Sequence, residues 1–465
     1  MQNLSITKEN NITMLQDKRS FALIVAFVAS FLTPFVGSSI NIALPEISND
    51  LAINAIILGW IPTTYLLILG VLLVPVGRFS DIYGRKKVFW YGIITFTIAS
   101  FLATFSFSGE TLILFRAIQG IGSAMIFANV SAMVVSMFPV MERGKALGIT
   151  VTGAYLGLFL GPVLGGFLTA SFGWRSIFLF NVPLGIITAL AVSKIKDEWK
   201  TAQGESFDIK GTLIFALSII LIILGLSQLP DINGAIIFMG GIITGSIYYY
   251  YQNRIESPVF DLSLFKNRAF GFNSLATLIS YTASYPLIFL LSLYLQYALK
   301  LGPAMAGLVL AVQPLTVTIF SSWTGKLSDE KDPHLMATAG MGIITIATMA
   351  LAFFKSSIWE IALLLCILGF GFAIFGTPNT NIVFSSVKKK NYGVAGASQG
   401  TMRVTGQLMG MAISLFLLNI FIGGTFIGPE NIDLFVMCTR ISLILFSLLC
   451  LVAVVVTWVG KPKKV

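Results

Sequence analysis

A charged segment between two apolar runs holds the densest group of ionisable side chains in the chain. Residues 77–87 read GRFSDIYGRKK, with two glycines, one carboxylate and four cations in eleven positions. The carboxylate of Asp81 can cap a helix N-terminus or pair with a nearby cation. Gly77 and Gly84 allow a helix to end and the backbone to approach a neighbour closely. The cations of this segment can pair with acidic groups or with lipid phosphate.

A single arginine, Arg116, lies inside an apolar run that covers residues 111–138. A charge within a membrane-spanning helix costs at least ~2.5–3.5 kcal/mol on insertion scales, so Arg116 is expected to face a partner or a cavity. Gln119 follows at helical spacing and is a candidate partner. Two interpretations stay open: a functional charge, or a structural arginine held by Gln119 and backbone carbonyls.

The elements that position these groups are apolar. The chain has 465 residues, of which 56% are hydrophobic and 11% charged, and its mean hydropathy is +0.88. Soluble domains carry about 25% charged residues, so this composition indicates an all-α polytopic membrane protein. Three cysteines within apolar runs and one histidine predict neither disulfides nor a metal site. Without a phosphate-binding glycine loop or a Ser-His-Asp set, we expect no cofactor and no enzymatic activity.

Fourteen apolar runs approach the length of about 20 residues that a membrane-spanning helix needs. They cover approximately residues 21–44, 56–76, 88–107, 111–138, 146–168, 176–194, 211–228, 235–252, 271–296, 303–324, 335–354, 359–382, 397–422 and 434–459.

Lysine and arginine set the orientation of such a bundle because they accumulate in cytoplasmic segments. With the N-terminus inside, twenty-four of these residues fall in cytoplasmic segments and three on the opposite side. The net charge of +10 therefore follows from topology, and we expect no nucleic-acid partner. The prediction is a multi-pass protein of the cell membrane with both termini in the cytoplasm.

The chain also contains an internal repeat. GRFSD at residues 77–81 recurs as GKLSD at residues 325–329, each time at the end of the second helix of a predicted half. Repeated halves are a recurrent transporter architecture, with the substrate site at their interface. The predicted division is a tail (1–20), a six-helix bundle (21–195), an inserted helix pair with linkers (196–270), a second six-helix bundle (271–460) and a tail (461–465).

Several motifs in order resemble the Major Facilitator Superfamily, and specifically its fourteen-helix drug:proton antiporter branch. GRFSDIYGRKK is similar to the loop signature of the superfamily, and LILFRAIQGIGSA (112–124) to its fourth-helix signature. GAYLGLFLGPVLGG (153–166) resembles the fifth-helix signature of antiporters. Three further segments resemble the fourteen-helix branch: NIALPEI (41–47), GWRSIFLFNVPLG (173–185) and ESPVFDLSLFKNRAF (256–270). The implied fold is two six-helix bundles plus an inserted helix pair.

The resemblance also implies roles for particular residues. The implied cytoplasmic latch consists of Gly77, Asp81, Gly84 and Arg85, with Glu142 and Arg143 of the next loop as candidate partners. Arg116 and Gln119 are implied in proton coupling. The implied antiporter helix carries Gly153, Gly157, Gly161, Pro162 and Gly165, whose spacing also predicts close packing against another helix. A purely topogenic loop and a purely packing helix are the alternatives.

The sequence departs from this branch in its acidic residues. None of the twenty falls in the middle of a predicted span, and Val36 stands where the branch often has an aspartate. A cationic substrate in an apolar site needs a buried carboxylate. With Arg116 as the only deep charge, neutral, zwitterionic or anionic compounds are easier to accommodate.

A substrate cavity is therefore expected from aromatic and neutral polar groups within the spans. The candidates are Ser38, Asn41, Tyr65, Tyr155, Tyr281, Tyr285, Gln313 and Asn379. Some of them are expected to serve only as hydrogen bonds between helices.

Two functional hypotheses follow. The first is a monomeric secondary-active exporter of small amphipathic compounds, embedded in the lipid bilayer, exchanging them for protons by alternating access. The second is an uncoupled or differently coupled exporter of a specific neutral or anionic metabolite or lipid.

Overall fold

The computed structural model describes residues 2–139, 142–195, 197–200, 202–255, 262–354, 357–388 and 392–461. Within these ranges the chain forms fourteen α-helices. They are α1 (Gln2–Asp50), α2 (Ala55–Tyr83), α3 (Arg85–Ala103), α4 (Gly109–Met137), α5 (Arg143–Phe172), α6 (Arg175–Ser193), α7 (Ile209–Gln228), α8 (Ile232–Gln252), α9 (Arg268–Leu293), α10 (Pro303–Glu330), α11 (Pro333–Ala352), α12 (Ile358–Ser385), α13 (Tyr392–Phe421) and α14 (Ile432–Val459).

Polar residues in the short connections start several of these helices. The side chain of Asn54 accepts a hydrogen bond from the backbone of Ile57 at 2.9 Å and begins α2. Ser108 and Thr111 form a reciprocal capping box at the start of α4. Such caps satisfy backbone N–H groups that the helix leaves without a partner.

The predicted all-α membrane fold is confirmed. Thirteen helices in the described part of the chain are long and apolar enough to cross a membrane. The remaining helix, α3, begins with Arg85, Lys86 and Lys87, and these charges lower its mean hydropathy. It nevertheless packs between α4 and α6, as the predicted span at residues 88–107 requires.

The first helix differs from the sequence-based expectation at both ends. It begins at Gln2, so the polar segment expected to form a separate tail continues the helix. It ends at Asp50, so Glu46 and Asp50 lie in its last turns and not beyond its end. Apolar runs define the part of a helix within the bilayer, and polar residues can extend the helix past it.

Two six-helix bundles with equivalent internal packing make up most of the molecule. In the N-terminal half, α1 packs on α5, α2 on α4, and α3 on α4 and α6. In the C-terminal half, the same pairs recur as α9 on α13, α10 on α12, and α11 on α12 and α14. The structure therefore repeats the arrangement that the two GxxSD segments predicted.

The two halves meet through α1 with α9, α2 with α13, and α5 with α10. We call the end of the bundle that holds the α2–α3 turn the basic end, and the end that holds the α1–α2 turn the opposite end. Hydrogen bonds between described residues join the halves at the opposite end. They include Ser292 Oγ to Asn41 O (2.6 Å), Gln296 Nε2 to Ile42 O (3.0 Å) and Ala55 N to Thr425 O (3.2 Å).

The inserted pair, α7 and α8, lies outside this symmetry. The two helices pack on each other, and α7 also contacts α2 and α13, which are the helices that meet across the halves. Asn419 on α13 donates a hydrogen bond to the carbonyl oxygen of Leu229 at 3.2 Å, in the turn between α7 and α8. The pair therefore covers one of the helix contacts between the halves, that of α2 with α13.

Candidate functional site

Arg116 on α4 is fully buried and is held by three kinds of contact. Its Nη1 donates to Gln119 Oε1 at 2.5 Å, and its Nε donates to the carbonyl oxygen of Ile61 on α2 at 3.3 Å. Its guanidinium lies 4.2 Å from the centre of the Tyr65 ring. Its Nη2 has no hydrogen-bond partner among the described residues. The arginine is thus fixed by the protein, with its Nη2 group still available to donate.

Gln119 and Tyr65 tie this arginine to the rest of the N-terminal half. Gln119 Nε2 donates to Ser100 Oγ on α3 at 2.7 Å, and the Tyr65 hydroxyl donates to the carbonyl oxygen of Thr33 on α1 at 3.2 Å. Four helices therefore converge on one charge. Such a network keeps a charge in a fixed position, because moving it would leave several buried polar groups without partners.

The C-terminal half contributes Tyr285 from α9 to the same group. Tyr285 lies within electrostatic range of Arg116 and Tyr65 and beside the side chain of Asn41 on α1. The structure therefore brings together five of the predicted residues, which we call the Arg116 cluster: Arg116, Gln119, Tyr65, Asn41 and Tyr285.

A second arginine within a predicted span, Arg403 on α13, lies at the boundary between the halves, a position that its place in the sequence does not show. In the structure the Arg403 guanidinium lies 4.9 Å from the centre of the Phe127 ring on α4, across the boundary between the halves. Tyr155 lies within electrostatic range of both Arg403 and Tyr281. The environment of the Arg403 side chain therefore depends on residues of other helices, which the sequence alone does not show.

Three other predicted cavity residues lie at contacts between helices. Ser38 Oγ donates to the carbonyl oxygen of Pro34 at 2.8 Å and lies in the contact between α1 and α5. Asn379 donates to Thr277 Oγ1 at 2.8 Å and so links α12 to α9. Gln313 is buried where the backbone of α10 meets Gly369 of α12. These three are placed outside the Arg116 cluster.

The glycines of α5 lie against α1 along one face. A Cβ added at Gly153 would lie 2.6 Å from the carbonyl oxygen of Phe27, and one at Gly157 would lie 2.5 Å from that of Phe31. Gly161 and Gly165 face α1 in the same way at Ser38 and Ser39. Contact between backbones without intervening side chains lets two membrane helices pack closely.

Pro162 lies on a different contact of α5, the crossing with α10. Its carbonyl oxygen faces Gly307, and a Cβ added at Gly166 would lie 2.5 Å from the carbonyl oxygen of Pro303. The same helix therefore packs tightly within its own half and against the other half.

The α2–α3 turn is built around Asp81 and Gly84. Asp81 Oδ1, in the last turn of α2, pairs at 2.6 Å with Nε of Arg85, the first residue of α3. Gly84 has φ +123°, a backbone conformation that residues with a Cβ rarely adopt, and a Cβ there would lie 2.7 Å from the Glu198 carboxylate. The glycine therefore lets the chain turn sharply and admits an acidic side chain to the start of α3.

The partners of this turn come from the connection between α6 and α7. Glu198 accepts hydrogen bonds from the backbone of Lys86 at 2.9 Å and of Lys87 at 3.2 Å. Arg78 forms an ion pair with Glu205. The backbone adds two hydrogen bonds, Arg85 N to Trp199 O and Ala202 N to Asp81 O, both at 3.0 Å. We call the described residues 197–200 and 202–207 the linker clamp.

The predicted latch partners Glu142 and Arg143 lie at the start of α5. Arg143 Nε donates to the carbonyl oxygen of Phe138 at 3.0 Å, and Glu142 immediately precedes the helix. A sequence signal for the observed partners did exist, since Glu198 and Glu205 are carboxylates in the same predicted cytoplasmic linker. Their pairing depends on the fold of that linker.

The second copy of the repeat has a different set of contacts. Asn381 on α12 donates to Ser328 Oγ at 2.9 Å and to Asp329 Oδ1 at 3.4 Å. Nearby, Asp332 caps α11 and pairs with Lys461 Nζ at 2.6 Å. The hydrogen bond from Lys461 lowers the pKa of the Asp332 carboxyl, which is held as a carboxylate. The segments around the two copies of the repeat are therefore stabilised by different contacts.

We predict that the Glu198 carboxylate helps to keep the linker clamp closed. Glu198→Gln removes the negative charge at the N-terminus of α3, an interaction worth about 0.3–1 kcal/mol at an exposed site. We expect trypsin to cleave after Lys200 about two- to fivefold faster, because that free energy sets how often the clamp opens. Asp197→Asn, an exposed carboxylate in the same segment, is the matched control and should leave the rate unchanged. Equal cleavage rates for the Glu198→Gln variant and the native chain would contradict the clamp.

Comparison with known proteins decides the family. The Major Facilitator Superfamily model matches residues 26–274 and again residues 273–465, which together cover nearly the whole chain and both halves. The chain belongs to this superfamily. Its named relatives are transporters, and it is accordingly a membrane transporter and not an enzyme.

Several named relatives in the superfamily are similar over most of their length. The riboflavin transporter RibZ of Clostridioides difficile is 32% identical over 397 residues, covering 84% of this chain and 86% of the relative. The cephamycin export protein CmcT of Amycolatopsis lactamdurans is 30% identical over 432 residues, covering 88% and 87%. The multidrug resistance protein Stp of Mycobacterium tuberculosis is 27% identical, covering 80% and 71%.

A solved structure supports the fold. A bacterial homologue of the human lysosomal transporter Spinster, in an inward-facing and occupied conformation, superposes with a TM-score of 0.67. It is 17% identical and covers 95% of this chain and 96% of its own. At this identity the likeness concerns the fold alone.

Proposed function

We propose that this superfamily member is a proton-coupled exporter of small amphipathic compounds, of the fourteen-helix drug:proton antiporter branch. It works as a monomer in the cell membrane, with both termini and the basic end in the cytoplasm. The transported compound binds between the two six-helix halves, which rock about it so that the site opens to one side at a time. Relatives named as multidrug and cephamycin exporters support export as the direction.

One observation carries the proposal: the Arg116 cluster draws side chains from both halves. Tyr285 comes from α9 and the other four members come from α1, α2 and α4. The halves are hydrogen bonded at the opposite end, through contacts such as Ser292 to Asn41. A compound held by groups from both halves is sensitive to their relative motion, which is the requirement for alternating access.

Proton coupling requires a group that changes its protonation state during the cycle. Two carboxylates are candidates, one at each end of the N-terminal half. Glu46 accepts a hydrogen bond from the backbone of Trp174 at 3.3 Å, near the opposite end. Asp81 is paired with Arg85 at the basic end. Protonation of either carboxylate weakens its local contacts, and this links proton binding to movement of the helices.

The test is transport by the purified chain in proteoliposomes, with a panel of cationic, neutral and anionic fluorescent compounds. We expect movement of at least one compound to require an imposed pH gradient and to fall to the level of protein-free liposomes when an ionophore collapses it. Transport that continues at an unchanged rate after the collapse would contradict proton coupling.

Transport that continues without a pH gradient would support the second candidate, an uncoupled or differently coupled exporter of a specific neutral or anionic metabolite or lipid. A specific observation favours it. From Ser20 onward, the described carboxylates lie between helices or within the first or last two turns of a helix, whereas Arg116 is fully buried with a free donor. The relative named as a riboflavin transporter fits a specific metabolite of this kind.

A further inference from the structure

Arg403 belongs to the C-terminal half and presents its charge to the boundary between the halves. It faces the N-terminal half, which carries Arg116. Its side chain is half-buried, and its contact with Phe127 crosses from α13 to α4. A Cβ added at Gly400, one turn earlier on α13, would lie 3.9 Å from the same Phe127 ring. The face of α13 that carries Arg403 is therefore turned towards the N-terminal half and not towards lipid.

The described surroundings of Arg403 contain no opposite charge. None of the ion pairs in the described part of the chain includes it, and each of these pairs lies at a helix end. An uncompensated charge within a membrane helix is costly, and a cation–π contact offsets only part of that cost. The remaining cost is relieved if the guanidinium meets water or an anion in the space between the halves.

Tyrosines of α5 and α9 lie near the two arginines. Tyr155 on α5 lies within range of both Arg403 and Tyr281, and Tyr281 is one helical turn from Tyr285 on α9. Tyr285 in turn lies within range of Arg116. Arg116 and Phe127, the ring against Arg403, are eleven residues apart on α4, which is about 16 Å along the helix. The contact of Arg403 with Phe127 thus lies at a different depth along α4 from Arg116.

We propose that Arg403, with Tyr155 and Tyr281, binds an anionic group of an aromatic substrate on the basic-end side of the space between the halves. This inference rests on the proposed function and names its substrate class: an amphipathic organic anion. The planar guanidinium binds a carboxylate through two parallel hydrogen bonds, and the rings of Phe127 and the tyrosines contact the apolar body. From the cytoplasm, the anion meets Arg403 before it reaches Arg116.

The test compares ligands that differ only in charge. Naphthalene-2-carboxylate, naphthalene-2-carboxamide and 2-naphthylmethylammonium are titrated onto the purified full-length chain, and binding is measured by quenching of tryptophan fluorescence. We expect the carboxylate to bind at least tenfold more tightly than the carboxamide or the ammonium compound. Equal affinity for the carboxylate and the carboxamide, or no binding of the carboxylate, would overturn the proposal.

Variants locate the preference at one side chain. Arg403→Gln is expected to weaken carboxylate binding at least tenfold and to leave carboxamide binding unchanged, which also shows that the variant is folded. Arg403→Lys keeps the charge without the two-pronged geometry and should retain part of the preference. Arg440→Gln is the matched control, because Arg440 lies on exposed α14 surface in the same half, and it should change neither affinity. Unchanged carboxylate binding by Arg403→Gln would show that the anion binds elsewhere.

Failure of this inference is distinguishable from failure of the proposed function. Binding is measured without a pH gradient, so loss of proton-driven transport does not affect it. If transport follows the pH gradient but the native chain shows no preference for the carboxylate, the exporter remains and the anionic substrate class is wrong.

Discussion

Arg116→Leu is expected to reduce transport at least tenfold while the protein remains folded. The loss in transport follows because the substitution removes the buried charge at the meeting point of the two halves, together with its unpaired Nη2 donor. A tenfold loss corresponds to about 1.4 kcal/mol, less than the ~1.5–3 kcal/mol of one hydrogen bond to a charged group.

Stability is expected to change little because two effects oppose each other. Replacing a buried charge with an apolar side chain relieves its desolvation, which is often neutral or stabilising. It also leaves Gln119 Oε1 without its donor, which costs about 1–3 kcal/mol, although Gln119 Nε2 keeps its bond to Ser100. Thermal unfolding in detergent, measured beside transport in proteoliposomes, separates the two quantities.

Two further variants complete that experiment. Arg116→Lys retains the charge but cannot contact both Gln119 and the Ile61 carbonyl in the same geometry, so we expect only partial transport. Arg440→Leu is the control for loss of an arginine within a spanning helix and should transport normally. Native transport rates in the Arg116→Leu variant would mean that this arginine is structural, as the alternative interpretation of the sequence holds.

Gly157→Leu is expected to prevent the N-terminal half from packing, and so to abolish transport and the yield of folded protein. The first added atom would already lie 2.5 Å from the Phe31 carbonyl oxygen and 3.0 Å from the Phe35 backbone nitrogen, and neither backbone group can rotate away. Overpacking of a tight contact costs about 1–3 kcal/mol for small additions. Leucine adds three more carbons to the same contact, whereas Gly157→Ala should be intermediate.

Gly148→Leu is the matched control on the same helix. Gly148 is exposed, and nothing lies within 4 Å of a Cβ added there. Leucine at this position replaces a poor helix former with a good one, so we expect full yield and full transport. The measurements are the yield of monodisperse protein after size-exclusion chromatography and the transport rate per folded molecule. If both leucine variants behave like the native chain, close contact between α1 and α5 is not required.

The sequence identified the all-helical membrane fold because bilayer thickness fixes the length of a spanning helix. Fourteen apolar runs predicted fourteen helices, and the two GxxSD segments predicted two equivalent halves, which the packing of α1–α6 and α9–α14 repeats. Helix ends were less predictable. The start of α1 at Gln2 depends on polar residues that hydropathy cannot assign to helix or loop.

The sequence alone also determined which side chains are costly to bury. Arg116 and its partner Gln119 are three positions apart on one helix, so their contact follows from helical geometry. Asp81 and Arg85 are also close in sequence, but they pair across the turn at Gly84 that separates α2 from α3.

Contacts between distant segments were decided only by the tertiary structure. Glu198 reaches the start of α3 across 112 positions of sequence, and Arg403 approaches Phe127 from the other half of the chain. Periodicity and composition report the environment along one helix, whereas these contacts depend on how helices and linkers are placed against one another. The contact between Arg116 and Gln119 was therefore predictable from the sequence, while the linker clamp and the position of Arg403 required the fold.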